Sequence, residues 1–215
     1  MLPWKSLTEI TRLTMILYGA SGHAKVIIDI LEKSGITIER LFDDNEKISS
    51  LNGYQCTGYD YSKVDSQMIV SIGDNNTRKA IAEKLGKLSF GLAVDINAVV
   101  SKRAGIGEGS VVMPGAIINS GTVIGKHVIL NTNSCVDHDC VLEDYVHVSP
   151  GSSISGNVYI KEGTHIGTGA SIMQNITIGK WCIIGAGCVV INDIPDFAVV
   201  VGNPGKVIKI KNNNL

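Results

Sequence analysis

The chain has 215 residues, with 19 Lys and Arg against 20 Asp and Glu for a net charge of −1. That balance gives no electrostatic case for nucleic acid or for an anionic membrane surface. No apolar run approaches the roughly 20 residues that span a bilayer, and five cysteines without a CxxC pair fit a reduced, cytoplasmic protein.

The leader MLPWKSLTEITRLT is polar throughout and lacks the apolar core of a signal peptide. Met15 is the expected natural start, with the leader an extension. Met15 to Tyr18 then predicts a strand, and Gly19-Ala20-Ser21-Gly22-His23-Ala24-Lys25 a Gly-rich turn. Ala24 to Lys33 has helical spacing at Val26, Ile27, Ile30 and Leu31, and stops at Gly35. Ile38 to Phe42 predicts a second strand, closed by Asp43-Asp44-Asn45. Ser66 to Ile72 predicts a third, followed by Gly73-Asp74-Asn75-Asn76, and Thr77 to Leu85 a second helix.

This β-α-β…β-α order predicts a small doubly wound, Rossmann-like α/β domain over residues 15–94. Its loops Gly19–His23, Asp43–Asn45 and Gly73–Asn76 all follow strand carboxyl ends, where nucleotides bind in such sheets. The turn reads GxxGxx, not the dinucleotide GxGxxG, so a mononucleotide or a sugar nucleotide fits better than NAD. Two readings stay open. Gly19 and Gly22 either only permit tight strand–helix packing or admit a nucleotide. Asp43 and Asp44 either cap a turn or accept a hydrogen bond from a uracil imide or ribose hydroxyl.

Residues 95–215 carry a different signal. Every sixth residue from Val100 to Val190 is Ile, Leu or Val, sixteen of sixteen. Four positions after each comes a small or β-branched residue, from Ser110 to Cys188, with Cys140 and Cys182 in the same set. Gly follows the aliphatic at Gly107, Gly125, Gly167, Gly179 and Gly185, where it is expected to allow turn dihedrals. A six-residue period is the signature of a parallel β-helix. Three hexads close one coil, and five coils stand roughly 25 Å tall.

Five histidines are present: His23, His127, His138, His147 and His165. Most are expected on faces or corners of the prism, with His147 and His165 stacked on one edge. His138 is followed by Asp139. A neutral imidazole there can take a proton near pH 7, with the carboxylate orienting it. The pair also reads as ordinary polar turn residues.

The run Leu130-Asn131-Thr132-Asn133-Ser134-Cys135-Val136-Asp137-His138-Asp139-Cys140 is informative as a unit, with His147-Val148-Ser149 and Gly156-Asn157-Val158 after it. With YGASGHAK, Asp43-Asp44 and Gly202-Asn203-Pro204-Gly205-Lys206, it resembles the bacterial sugar O/N-acyltransferases of the hexapeptide-repeat superfamily. These are typified by UDP-4-amino-sugar N-acetyltransferases and the sialic acid O-acetyltransferase group. The resemblance runs from about Met15 to Lys206. It implies a left-handed β-helix, a homotrimer with sites between neighbouring prisms, and acetyl-CoA as co-substrate in the groove between them. It implies a nucleotide-sugar held by the N-terminal domain. His138 matches the general base and Asp139 its acidic partner, usually Glu and one methylene longer. His147 matches a histidine that contacts the acetyl donor, and Asn131 a polar residue of the substrate pocket. Gly156, Ala186 and Gly202 fall where backbone meets CoA. Gly19, Ser21, Gly22, His23, Asp43, Asp44 and Gly73 fall where the nucleotide and diphosphate bind. No two histidines are five residues apart, as zinc in trimeric prism carbonic anhydrases requires, so no metal is expected.

The expected activity is acetyl-CoA-dependent N-acetylation of a nucleotide-linked 4-amino-6-deoxy sugar by direct transfer. The rivals are O-acetylation of a sugar or sialic acid, and a non-catalytic trimeric scaffold that binds a sugar nucleotide. Binding of acetyl-CoA separates the enzymes from the scaffold.

Overall fold

The computed structural model describes residues 14–59, 66–86 and 88–211. The polar leader, and with it the assignment of a natural start, lies outside them. The α/β unit opens with β1 (Thr14–Tyr18), α1 (Gly22–Lys33) and β2 (Thr37–Phe42). A short antiparallel hairpin follows, β3 (Ser50–Leu51) and β4 (Tyr54–Thr57), then β5 (Gln67–Val70) and α2 (Asn75–Lys84). The sheet order is β3-β4-β2-β1-β5, with β1 parallel to both β2 and β5. The hairpin has no counterpart in the sequence reading, because its two strands are too short for an alternation to register.

Alternation along β1 sorts its side chains onto two faces. Met15 and Leu17 pack with α1 residues Ile27, Ile28 and Leu31, while Ile16 and Tyr18 pack with Ala82 and Leu85 around α2. Helix α1 buries Ala24, Ile27, Ile28 and Leu31, one face of a 3.6-residue helix. It ends in Gly35 at φ 69°, a left-handed stop closed to most side chains. Helix α2 starts two residues earlier than the spacing predicts, because the Asp74 side chain accepts from Thr77 N at 2.8 Å and caps it.

From Ala93 to Val190 the chain is a parallel β-solenoid of two-residue strands paired every eighteen residues, and it closes with Ala198–Val201 and an antiparallel Lys206–Ile210. The first face holds Ile129–Leu130, His147–Val148 and His165–Ile166. The second holds Ile117–Ile118, Cys135–Val136 and Ser153–Ile154. The third holds Val123–Ile124, Val141–Leu142 and Tyr159–Ile160. Aliphatics from Val112 to Val190 and the small residues four positions later fill one continuous core, Cys140, Cys182 and Cys188 among them. Val100 and Ile106 are only partly covered, since no full coil lies beneath them.

The glycines after the aliphatics serve another purpose than the expected one. Their backbones are not left-handed. A Cβ on Gly107 would instead stand 2.6 Å from the backbone of Gly125 in the next coil. The left-handed turn residue comes two positions later: His127, Asn133, Asp139, Tyr145, Asn157 and Trp181 all have φ between 53° and 61°.

The α/β unit sits on the first face. Its α1 side shares a core with the outward-pointing Val111, Met113 and Ile129. Helix α2 meets the edge between the third and first faces, where His127 and Tyr145 stack at 5.3 Å. There Arg78, 1% exposed, makes the principal tie between the two units. Its guanidinium donates to the carbonyls of His127, Tyr145, Ile72 and Gly73 and to Asn75 Oδ1 at 2.9–3.1 Å.

Candidate functional site

The residues singled out in the sequence fall into four groups on the fold. His138, Asp139 and Gly156 lie on the edge between the second and third faces. The turn after Cys135–Val136 puts His138 outside the prism, and the left-handed φ of 59° at Asp139 swings the carboxylate beside the ring. Asp139 Oδ2 lies 2.9 Å from His138 Nδ1, so the shorter side chain does reach. Both are open to solvent, at 59% and 68% exposure. The Asp139 hydrogen bond, with help from the Asp137 charge, raises the His138 pKa above its usual value. With the Asp139 carboxylate accepting from Nδ1–H, Nε2 is left as the basic nitrogen. Gly156 forms the floor: a Cβ there would stand 2.7 Å from the ring.

A second group lies where the α/β unit ends on the first face. His147 is 8% exposed. Its Nε2 is 3.2 Å from the Asn131 amide, and its ring lies 4.7 Å from that of His165. His165 in turn meets Ser149 Oγ at 2.9 Å. His147 and His165 face each other across paired strands, so they occupy a flat side rather than the expected edge. His23, at the start of α1, has a buried Nε2. Burial first, then the Arg78 charge, lowers its pKa to about 4, so its ring is neutral near pH 7. Gly73 borders this group through its carbonyl, which accepts from Arg78.

The third group surrounds a cavity of about 380 Å³ lined by Tyr18, Gly19, Asp43, Asp44, Asn45, Ile72 and Thr77. Gly19 is a packing glycine: a Cβ would stand 2.7 Å from Ile72. Gly22 is open, with nothing within 4 Å of a Cβ. Ser21 caps α1 by position without a side-chain bond. Asp43 braces the loops, accepting from Ala20 N at 2.7 Å and Asn45 N at 2.8 Å. Asp44 accepts from the Tyr18 hydroxyl at 2.6 Å and lines the cavity. The fourth group, Ala186 and Gly202, is exposed on the edge between the first and second faces.

No single chain brings these groups together. The edge that carries His138 is opposite the face that carries His147. Arg78 is the residue sequence reasoning missed. It stands in the polar run Asn75-Asn76-Thr77-Arg78-Lys79, which gives no sign of burial.

The buried histidines set an acid limit on stability. Burial first, then the Arg78 charge, lowers His127 to about 4. Burial, then His165 and Arg78, lowers His147 to about 3. In the unfolded chain both protonate as pH falls through about 6.5. The unfolded state therefore binds more protons between that value and 4, and stability drops across the window. His138 acts in the opposite sense, but on an exposed ring. The urea midpoint is expected to fall clearly from pH 7.5 to pH 5. An unchanged midpoint would contradict the neutral burial of these rings.

Comparison with known proteins fits this geometry. The PglD N-terminal domain matches residues 14–85, and the bacterial transferase hexapeptide pattern of six repeats matches residues 157–192. The acetyltransferase domain of PglB from Neisseria gonorrhoeae is 38% identical, with TM-score 0.85 over 91% of this chain and 99% of that one. A perosamine N-acetyltransferase variant from Caulobacter crescentus, solved with CoA and GDP-perosamine, is 34% identical. Its TM-score is 0.87 over 91% of this chain and 97% of that one. UDP-N-acetylbacillosamine N-acetyltransferase of Bacillus subtilis is 39% identical over 105 residues, 44% of this chain. The aligned stretches span 49% of that protein and 22% of a second curated relative. With both units and their order shared over nearly their whole length, the chain belongs to the PglD family of hexapeptide-repeat sugar N-acetyltransferases.

Proposed function

We propose that this protein transfers the acetyl group of acetyl-CoA to the amino group of a nucleotide-linked amino sugar, of the 4-amino-6-deoxy class. The observation that carries the reading is the exposed His138–Asp139 pair, hydrogen-bonded at 2.9 Å on a solvent-facing edge. The neutral amine attacks the thioester carbonyl. His138 Nε2 takes the amine proton as the N–C bond forms, and Asp139 stabilises the imidazolium. Backbone N–H groups of a coil turn receive the oxyanion. Collapse breaks the C–S bond, and the imidazolium returns its proton to the departing thiolate. The step needs no protein nucleophile and no metal.

The α/β unit holds the nucleotide at the cavity beside Asp44, and the prism holds CoA near Gly156, Ala186 and Gly202. His147 and Asn131 serve the site from a neighbouring subunit of a homotrimer, since one chain keeps them on the side opposite His138. The five free cysteines accord with a cytoplasmic reaction. Among the described residues no helix is long and apolar enough to cross a membrane.

Screening UDP-, dTDP- and GDP-linked amino sugars for CoA release tests the activity. Release with no amine acceptor, or only with hydroxyl sugars, would overturn it. Mixed oligomers of inactive His138→Ala and His147→Ala chains are expected to regain turnover, because some sites then combine an intact residue from each. Absence of any regain would show that the two residues do not serve one shared site.

A further inference from the structure

Two glycines flank the His138–Asp139 pair from neighbouring coils. Gly121 lies eighteen residues before Asp139, and a Cβ there would stand 2.4 Å from Asp139 Oδ1. Gly156 lies eighteen residues after His138, and a Cβ there would stand 2.7 Å from both Cε1 and Nε2. The carboxylate thus rests over one bare α-carbon and the imidazole over the other. The same turn position is occupied further up the column by Asn157 and Asn175, whose side chains bond to each other at 2.9 Å. Asn adopts the left-handed backbone with little penalty. The φ of 78° at Gly121 therefore does not by itself demand glycine. What the absent side chain provides is room for the carboxylate. Asp137 does not compete for the ring, because its Oδ1 accepts from Asn119 Nδ2 and from His138 N, both at 2.8 Å.

We propose that Gly121 and Gly156 are positioning residues, forming a slot that fixes where carboxylate and imidazole meet and which ring nitrogen faces the acceptor. This rests on His138 as the base of the proposed transfer. Gly156 also stands in the proposed donor contact, so Gly121 is the diagnostic position. A side chain at 121 drives the Asp139 carboxylate off Nδ1. Asp139 and Asp137 are the ionisable groups that hold the ring's basicity up, so losing the first lowers it.

The test follows the His138 titration by NMR of ring-labelled histidine in the full-length protein, assigned by its absence in His138→Ala. Gly121→Ala and Gly121→Asn are each expected to lower the His138 pKa by about half a unit to one unit. The acid limb of the kcat profile should move with it, and turnover should fall roughly tenfold as orientation is lost. Gly169→Ala is the control: it has the same turn position, φ 67°, and nothing within 4 Å of a Cβ. It should leave the titration in place. Gly121→Asn keeps the turn, so a poorly folding Ala variant leaves the question answerable. An unmoved titration in the Gly121→Asn protein, or an equal shift in Gly169→Ala, overturns the slot. Wild-type turnover in His138→Ala overturns the base assignment instead, and leaves the NMR result standing.

Discussion

Replacing His138 with Ala is expected to lower kcat by roughly 10²–10⁴-fold, the usual contribution of a positioned general base. The ring is 59% exposed and its side chain is bonded to Asp139, so the fold and acetyl-CoA affinity should hardly change. The loss belongs in kcat because the proton moves in the transition state. Asp139→Asn should cost less. It keeps the left-handed turn, which Asn tolerates, but removes the charge that stabilises imidazolium. The acid limb of its profile should move down, since that hydrogen bond is the largest cause of the raised His138 pKa. A His138→Ala enzyme within about threefold of wild type across pH 6–9 would end the assignment, since no general base contributes so little.

Arg78→Met is expected to be the most destabilising single change outside the solenoid core. Five donors serve four carbonyls and one amide in a site that is 1% exposed. Burial pulls the guanidinium pKa down to about 10, so it is still charged at neutral pH. A methionine fills much the same volume but leaves buried acceptors unpaired, at a cost of about 3–5 kcal/mol by analogy with broken buried pairs. For a chain of this size that is a fall in Tm on the order of 10 °C. Arg78→Lys should recover only part, since an ammonium has three donors without the planar fork. The solenoid makes its own ladder and should survive, so limited proteolysis is expected to release the α/β unit first. A Met variant as stable and protease-resistant as wild type would show that the apolar contact with Val111, Met113 and Ile129 holds the units together alone.

The sequence by itself determined the solenoid, its coil length and its inward-facing set. In that architecture each side chain's position follows from its place in an eighteen-residue repeat. Ile106, Ile124 and Leu142 had to stack because the backbone returns to the same face every third hexad. The α/β unit was legible for a related reason: the β1, α1 and β2 patterns are local, and its loops follow the strand ends by rule. The His138–Asp139 neighbourhood was legible too, being adjacent in the chain.

Only the tertiary structure decided the rest, because those contacts join segments with no shared period. The glycines after the aliphatics proved to answer to the backbone of the next coil, a distance no dihedral argument contains. Gly121 acquires meaning only when Asp139 is laid over it. His23 reads as part of an open loop, yet its ring is buried and held neutral. Arg78 lies in a run that looks solvated, and it is buried because α2 happens to meet an edge built from His127 and Tyr145, 49 and 67 residues further on. Periodic structure writes itself into sequence, whereas the seam between two units depends on side chains meeting at positions that neither unit's own pattern specifies.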